Sequence, residues 1–203
     1  YKEWWTDSWT DAVHKGLFVK RDQEGGQMSR DMTLYVDDDG KAYHIYSSEE
    51  NLTIHIAELS DDYLSHTGKY VRMSPAGHNE APAIFKRNGT YWMITSGCTG
   101  WAPNEARMHS APSILGPWTQ HPNPCVGPKA ELTFGGQSTY ILKVQGKEDA
   151  FLFMGDIWRP EHPSDARYIW LPIQFKEDGT PFIEWIDSWT LDWFDGKMAD
   201  ADK

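Results

Sequence analysis

Short runs of apolar and aromatic residues, separated by polar turn clusters, predict a chain that is β almost throughout. The turn Asp37–Gly40 separates the strand-like runs Met32–Val36 and Ala42–Tyr46, which indicates a β-hairpin. The same pattern predicts three more hairpins, whose turns lie at Asn88–Gly89, Gln145–Gly146 and Asp178–Gly179. Further strand-like runs follow each of the first three hairpins, so the repeating unit is a hairpin with one or two more antiparallel strands.

This unit recurs at a spacing of roughly 35–55 residues, and radial repetition of four-stranded sheets is typical of β-propellers. A β-sandwich is the alternative, because it also has short strands joined by regular turns. The internal repeat favours the propeller. We predict an all-β domain over residues 1–195 without helices, with blades that begin near residues 29, 78, 135 and 171, and a tail or linker over residues 196–203.

The predicted ring of blades is incomplete. The chain holds about three full blades and part of another, whereas a propeller needs about four or more, since an open ring exposes sheet faces and edges. The N-terminal segment contains strand-like pieces, such as Gly16–Lys20, without a recognisable blade. We therefore expect a fold that is incomplete alone, with its first blade supplied by an upstream segment or by another chain.

Composition narrows the range of partners. The net charge of −11 argues against nucleic acid and anionic membrane surfaces. The eight histidines lack metal-binding spacing and no CxxC is present, so we expect no metal and no other cofactor. Cys98 and Cys125 form either one disulfide or two free thiols. The 11 tryptophans either fill gaps between sheets or offer apolar faces that suit sugar rings.

Chemically competent side chains stand at the start of three predicted blades. Asp31 opens the first hairpin, Glu80 the second, and Gln137 stands at the equivalent place in the third. Because the innermost strand of each propeller blade lines the central channel, we expect these side chains to meet in one pocket. Two carboxylates suit glycoside hydrolysis, in which burial and a second negative charge keep one of them protonated. Alternatively, each acid caps a turn or pairs with a base such as Arg30.

The other polar positions have two interpretations each. An amide is not an ordinary Brønsted base, so Gln137 either positions a water or a sugar hydroxyl, or is a buried hydrogen-bonding residue. The loops Glu49–Asn51 and Ser96–Trp101, which follow the first two hairpins, either bind sugar hydroxyls or are solvated turns. We also expect an ion pair between Asp156 and Arg167 that bridges neighbouring strands.

Four ordered segments carry a resemblance to a known family, and they are Ser29–Tyr43, His78–Lys86, Ile94–Trp101 and Gln137–Thr139. Together they resemble glycoside hydrolase family 43, and its exo-β-1,3-galactanase-like branch in particular. The resemblance covers roughly Gln27–Trp193. It implies a secreted or periplasmic five-bladed propeller that cleaves glycosides with inversion at the anomeric carbon.

The resemblance also implies roles for individual residues. Glu80 corresponds to the general acid, and Asp31 to the residue that adjusts the acid's pKa and orients the sugar. Most members take their general base, an aspartate, from the first blade, which this chain lacks. The galactanase-like branch has a glutamine at the position of Gln137, and an imidic-acid tautomer has been proposed to activate the water. Either Gln137 completes the catalytic set, or the base lies on the missing segment.

The implied ligand is the terminal sugar of a galactose-containing polysaccharide, such as the β-1,3-galactan of arabinogalactan. The family also contains arabinofuranosidases and xylosidases, which stay open as alternatives. A non-catalytic sugar-binding propeller and an inert fragment of a longer chain are further alternatives. By resemblance and by position at the rim, the sugar contacts are Glu50, Asn51, Cys98, Thr99 and Trp101.

Overall fold

The computed structural model describes residues 9–19 and 28–196. In these ranges the chain is all-β, as predicted, apart from one short helix, α1 (Trp9–His14), and brief helical turns. The strands are β1 Met32–Val36, β2 Ala42–Ser48, β3 Thr53–Leu59, β4 His66–Met73, β5 Glu80–Arg87, β6 Thr90–Ser96, β7 Ala106–Ala111, β8 Thr119–His121, β9 Cys125–Val126, β10 Gln137–Lys143, β11 Phe151–Ile157, β12 Arg167–Phe175 and β13 Pro181–Glu184.

The strands form three sheets, each built on a predicted hairpin. The first sheet has the order β1-β2-β3-β4 and the second β5-β6-β7-β8, and both are antiparallel throughout. The third has the order β10-β11-β12-β13-β9, in which β9 pairs in parallel with β13. No closed ring of sheets exists within the described residues.

The expectation that a separate blade begins near residue 171 is wrong. β12 runs without a break over Arg167–Phe175, pairs with β11 along its first part and with β13 along its last. The sequence suggested a further blade there because a fourth hairpin turn lies at Asp178–Gly179. In the structure Pro172 lies opposite Leu152 inside this strand, so the fourth hairpin is the outer part of the third sheet.

The second sheet is buried on both faces. Because successive strand residues point to opposite sides, Ile84, Tyr91 and Met93 pack toward the first sheet. Their neighbours Ala83 and Ile94 pack toward the third sheet, where they join a larger cluster of aliphatic and aromatic side chains. The second sheet therefore positions the two others on either side of it.

The first strands of the three sheets converge at their N-terminal ends. β5 contacts both β1 and β10. Ser47 Oγ donates to the Asn79 carbonyl at 2.7 Å, and Ser138 Oγ donates to the Ala81 carbonyl at 2.6 Å. Both hydroxyls are buried, so these bonds fix the strand starts against one another.

The N-terminal segment departs from the sequence prediction. Residues 9–14 and 17–19 are helical rather than strand-like, and Lys20 lies outside the described residues. The reason is local packing: Val13 and Phe18 are fully buried against Leu52, which helix geometry allows and an extended strand would not. The tail predicted for residues 196–203 also lies outside the described residues beyond Gly196, and stays a prediction.

Two sheet surfaces expose apolar side chains. On β1, Met32, Leu34 and Val36 are each more than half exposed, and on β12 Tyr168 and Trp170 are exposed. These residues belong to the first and third sheets. Within the described residues, no helix is long and apolar enough to cross a membrane.

Candidate active site

Glu80 is the first residue of β5 and lies at the convergence of the three sheets. A β-bulge shifts the register between Glu80 and Ala83, so that Glu80 lies opposite Ser96. Without the bulge, Glu80 would project from the opposite face. Its Oε1 accepts a hydrogen bond of 2.7 Å from Asn51 Nδ2, and its Oε2 accepts one of 3.3 Å from Gln137 Nε2. The bulge thus aims the carboxylate between the first and third sheets.

Gln137 is the first residue of β10 and reaches the same point from the third sheet. Its Nε2 donates to Ser96 Oγ at 2.8 Å as well as to Glu80. No donor within the described residues reaches its Oε1, which is therefore available to a water or a sugar hydroxyl. The predicted meeting of Glu80 and Gln137 is thus present in the geometry.

Asn51 reaches Glu80 from a strained turn of the first sheet. Glu49, Glu50 and Asn51 all have left-handed backbone conformations, with φ of 53°, 60° and 62°. Such conformations cost non-glycine residues roughly 1 kcal/mol or more each, so surrounding contacts must stabilise the turn. The turn directs the Asn51 amide at the Glu80 carboxylate.

The stabilising contacts come from the fully buried Glu49. Its carboxylate accepts a bidentate pair of 2.7 Å bonds from Arg72, and His55 Nε2 lies 2.6 Å from its Oε1. Burial alone would raise the pKa of Glu49, but the hydrogen bonds from His55 and Arg72 outweigh it and hold that pKa below its usual value. Arg72 also donates to the Val13 carbonyl at 2.7 Å, which ties α1 to the turn.

Cys98 packs beside Glu80 and Asn51. Its thiol donates to the Asn51 carbonyl at 3.7 Å. Burial raises the pKa of Cys98 to about 12, and the negative charges of Glu80 and Asp31 act in the same direction. Cys98 is therefore a neutral thiol, and the negative charges of both carboxylates oppose its ionisation. Cys98 and Cys125 are free, so the structure supports two thiols rather than a disulfide.

Three other predicted residues make no hydrogen bond to Glu80 within the described part of the chain. Asp31 is exposed, and within the described residues it makes no hydrogen bond to Glu80. Glu50 forms an ion pair of 3.2 Å with Arg30, which is half exposed. Thr99 is exposed and its hydroxyl is engaged within its own loop at 2.6 Å. The structure therefore leaves their predicted roles at the sugar as predictions.

Two supporting residues were not predicted in these roles: Ser96 was placed only in a rim loop, and Arg107 was missed. Ser96 accepts from Gln137, and Arg107 Nη1 donates to the carbonyls of Gly77 and His78 and to Asn79 Oδ1, at 2.6, 2.9 and 3.0 Å. Arg107 thereby holds the segment that leads into Glu80. Counting back from the Asn88–Gly89 turn would have placed residue 97 rather than 96 opposite Glu80, because the bulge is not visible in the pattern.

Two tryptophans from different sheets meet beside Gln137. Trp101 follows β6 and Trp158 follows β11, and their ring centroids lie 5.1 Å apart with an angle of 54° between the planes. A small cleft at this place is lined by both rings together with Gln137 and Asp156. Burial raises the pKa of Asp156 above its usual value. The cleft adjoins the Glu80 cluster through Gln137.

The expected ion pair between Asp156 and Arg167 is absent. In the β11–β12 ladder Arg167 lies opposite Ile157, and Asp156 lies opposite Tyr168. Neighbouring positions in a strand project from opposite faces, so the two charged side chains cannot meet. Arg167 pairs with Asp165 instead.

A larger cleft of about 630 Å³ opens at the other ends of β1, β5 and β10. Several of its charged residues have partners, since Lys86 pairs with Asp38 at 2.8 Å and Arg87 pairs with Asp149 at 2.7 Å. None of the predicted site residues lines this cleft. It is a polar cleft between the sheets rather than a second catalytic centre.

Within the described residues, no group of three or more histidine, cysteine, aspartate or glutamate side chains could hold a metal ion.

An all-β domain that brings a carboxylate, two side-chain amides and neighbouring tryptophans together between its sheets is typical of carbohydrate-active proteins. Residues 5–181 match the model of glycosyl hydrolases family 43, and the chain belongs to that family. The family resemblance in the sequence is thereby confirmed.

Several solved structures resemble the chain. A family 43 β-1,3-galactosidase solved with galactodeoxynojirimycin is 68% identical, with a TM-score of 0.88 over 94% of this chain and 55% of that one. A variant of an exo-β-1,3-galactanase from Phanerochaete chrysosporium, solved with β-1,3-galactotriose, is 36% identical, with a TM-score of 0.70 over 78% of this chain and 36% of that one.

A curated relative is more distant. The β-D-galactofuranosidase xynD of Aspergillus niger is 30% identical over 129 residues, which are 58% of this chain and 37% of that protein. The chain thus spans about half the length of the β-1,3-galactosidase and little more than a third of the other two relatives.

Proposed function

We propose that the protein is an inverting, exo-acting glycoside hydrolase for galactose-containing polysaccharides, with Glu80 as its general acid. The observation that carries this proposal is the fixed position of Glu80, whose two oxygens accept from Asn51 and Gln137. A carboxyl group held by a bulge and by amides from two other sheets needs little reorganisation to face a glycosidic oxygen. Of its two contacts, the 3.3 Å one to Gln137 is the weaker, so Oε2 is the oxygen that turns to the substrate.

The reaction follows from this arrangement. Glu80 in its carboxylic-acid form gives its proton to the glycosidic oxygen as the bond to the anomeric carbon breaks. A water held by Gln137 Oε1 attacks that carbon from the opposite face and forms the new C–O bond. The proton that the water loses goes to a base, which is either the imidic-acid form of Gln137 or a carboxylate outside the described residues.

We assign the terminal sugar to the side of the site that faces the first sheet. Asn51 and Cys98, which already contact one another and Glu80, lie under the sugar in this arrangement. Glu50 and Thr99 accept or donate at its hydroxyls. Asp31 supplies the second negative charge and orients the ring.

Galactose is the sugar that the relatives favour. Their names specify β-1,3-galactosidase, exo-β-1,3-galactanase and β-D-galactofuranosidase activity, and one was solved with β-1,3-galactotriose. The 68% identity to the first of these supports the same substrate here. Since polysaccharides do not cross membranes readily, we place the protein outside the cytoplasm, secreted or periplasmic, and fractionation of the source cells would test that location.

We further infer that the three sheets are blades of a five-bladed propeller. The convergence of β1, β5 and β10 supports this arrangement, as do the exposed apolar residues Leu34 and Trp170 on the outer sheets. Further blades would cover those surfaces. Sedimentation of the 203-residue chain tests the inference, because uncovered faces predict self-association, whereas a monomer that unfolds cooperatively would contradict it.

The substitution Glu80→Gln tests the catalytic assignment. It removes the transferable proton but keeps the side-chain shape, so kcat on β-1,3-galactotriose should fall about 10³-fold while the dissociation constant changes little. Glu177→Gln, an exposed substitution in the β12–β13 turn, is the matched control and should leave both constants unchanged. A wild-type protein that binds the sugar but never hydrolyses it would instead identify a non-catalytic binding module. Aryl arabinofuranosides and xylosides assayed in parallel would reveal the other activities of the family.

A further inference from the structure

The direction of the Asn51 amide depends on the turn that carries it. Its Nδ2 donates to Glu80 Oε1 at 2.7 Å, whereas its Oδ1 is buried and has no hydrogen-bond partner within the described residues. A side-chain amide has two donors and an acceptor oxygen with two lone pairs, so one hydrogen bond leaves most of its capacity unused. The backbone of the turn must therefore supply the remaining restraint on this side chain.

The turn itself has an unfavourable conformation. Residues 49–52 connect β2 to β3, and a 3.1 Å bond from Leu52 N to the Glu49 carbonyl closes the turn. The two central residues, Glu50 and Asn51, have φ of 60° and 62°. Turns with positive φ at both central positions favour asparagine and glycine, so Glu50 is poorly suited to the first of them. Contacts from outside the turn are needed to keep it in this conformation.

Those contacts lead to α1. Arg72 on β4 donates from Nε and Nη2 to the two carboxylate oxygens of Glu49, and Nη2 also donates to the Val13 carbonyl, each at 2.7 Å. At the other end of the turn, Leu52 is buried against Val13 and Phe18. Both ends of the turn are thus attached to α1 and the residues that follow it, one end through Arg72 and the other through Leu52.

We propose that Arg72 is a positioning residue, which couples α1 to the proposed general acid through the turn that carries Asn51. The proposal rests on the proposed function and extends it to a part of the chain outside the sheets. Arg72 acts at a distance from the sugar, because Glu49 is fully buried and two nitrogens of the guanidinium are engaged. A planar guanidinium makes these three bonds at once, which a lysine ammonium cannot do in the same geometry.

The ion pair between Arg72 and Glu49 is better explained by geometry than by stability. A buried ion pair adds little net stability, because removing two charges from water offsets much of their attraction. This pair instead selects one conformation of a turn whose Asn51 carbonyl accepts from the Cys98 thiol at 3.7 Å. Cys98 therefore reports whether the turn keeps its place.

The test measures alkylation of the two cysteines by iodoacetamide in the Arg72→Lys variant. We expect Cys98 to react about fivefold faster than in wild type or more, since a displaced turn hydrates a thiol whose pKa burial raises to about 12. Cys125 is buried in the core of the second and third sheets, so its rate should stay unchanged. Arg87→Lys is the matched control: its side chain is 18% exposed against 22% for Arg72, and it pairs with Asp149 at 2.7 Å outside the site.

Activity provides the second readout. In Arg72→Lys, kcat/KM for β-1,3-galactotriose should fall about 10- to 100-fold, whereas in Arg87→Lys it should stay within about twofold of wild type. An active wild type whose Arg72→Lys variant keeps full activity would overturn the proposal. The cysteine measurement needs no hydrolysis, so it decides the coupling even if the wild-type protein cleaves no galactoside.

A second variant covers the case in which Arg72→Lys opens the whole fold. Combining Glu49→Gln with Arg72→Gln removes both charges, so no unpaired charge stays buried. Faster alkylation of Cys98 alone in this variant supports the coupling. An unchanged Cys98 rate, or an equal rise for Cys98 and Cys125, would overturn it, because the pair would then have no effect on the turn beyond stability.

The substitution Phe18→Ala tests the part that α1 has in the coupling. It should also speed alkylation of Cys98, because Phe18 packs against Leu52 at the end of the turn. If both residues act through the turn, combining Phe18→Ala with Arg72→Lys should speed alkylation no more than the larger single effect. Two effects that multiply would show that α1 and Arg72 act separately, which contradicts the proposal.

Discussion

At the scale of single residues, Gln137 borders both the Glu80 cluster and the small cleft lined by Trp101 and Trp158. Its amide nitrogen donates to Glu80 and to Ser96, and its side chain borders the cleft that contains Asp156. No donor within the described residues reaches Oε1. In the proposed reaction, Gln137 holds the attacking water while it also fixes the carboxyl group of Glu80, the proposed proton donor.

Replacing Gln137 by alanine should remove the water's acceptor but leave room for a small nucleophile. We expect kcat on β-1,3-galactotriose to fall about 100-fold or more, with added azide restoring part of the rate because azide needs no base. Gln174→Ala on β12, a partly buried amide outside the site, serves as the control. A Gln137→Ala variant that keeps its full rate would contradict the proposal that Gln137 holds the attacking water. A lost rate that added azide never restores would contradict it as well.

Single residues differ in how well the sequence predicts them. Glu80, Gln137, Asn51 and Cys98 stand in recognisable motifs at the starts of strands and in the loops beside them, and the structure brings all four into contact. Arg107 carries no such signal, because its role depends on which carbonyls the fold places around its guanidinium group. Asp31 is near enough to affect the Cys98 thiol, but its role in orienting the sugar stays a prediction.

At the scale of elements, turn chemistry predicts the hairpins but not the irregularities that aim side chains. The Asp37–Gly40 and Asn88–Gly89 turns define β1–β2 and β5–β6 correctly. The bulge after Glu80 is invisible in the apolar pattern, because it changes register without changing residue type. α1 is equally hidden, since it is short and is stabilised by tertiary contacts with Leu52 rather than by its own propensity.

A buried histidine on one strand makes the stability of the fold depend on pH. His109 on β7 is 1% exposed, and both its ring nitrogens lack a hydrogen-bond partner within the described residues. Burial lowers its pKa from 6.5 to about 4, with smaller effects from Arg107 and His121 in the same direction. Below pH 6.5 the unfolded chain binds a proton that the folded chain refuses, so stability falls as the pH drops from 6.5 to about 4.

The substitution His109→Leu should remove this dependence. We expect the free energy of unfolding to rise by about 1 kcal/mol near pH 7, because an unsatisfied buried polar group is lost. The advantage over wild type should grow by about 3 kcal/mol more as the pH approaches 4. Urea denaturation at pH 7, 5.5 and 4.5 measures it, with the exposed His162→Leu as control. A variant whose stability declines with acid as steeply as that of wild type would refute this account of β7.

At the scale of the whole molecule, three sheets place all the proposed chemistry at one end of β1, β5 and β10. The large polar cleft lies at the other end, where ion pairs such as Arg87–Asp149 join neighbouring sheets. The repeat in the sequence predicts this arrangement, because equivalent strands must occupy equivalent positions around a common centre. What the repeat could not give is the extent of each sheet, as the continuous β12 demonstrates.

The most direct test of the central claim is time-resolved proton NMR of the wild-type protein with β-1,3-galactotriose. The account predicts that galactose is released from the non-reducing end and that its first-formed anomer is α, since inversion at a β-linked carbon gives the α product. Mutarotation then converts it toward the equilibrium mixture. Galactose that appears first as the β-anomer, or a trisaccharide that stays intact, would contradict an inverting exo-hydrolase with Glu80 as its acid.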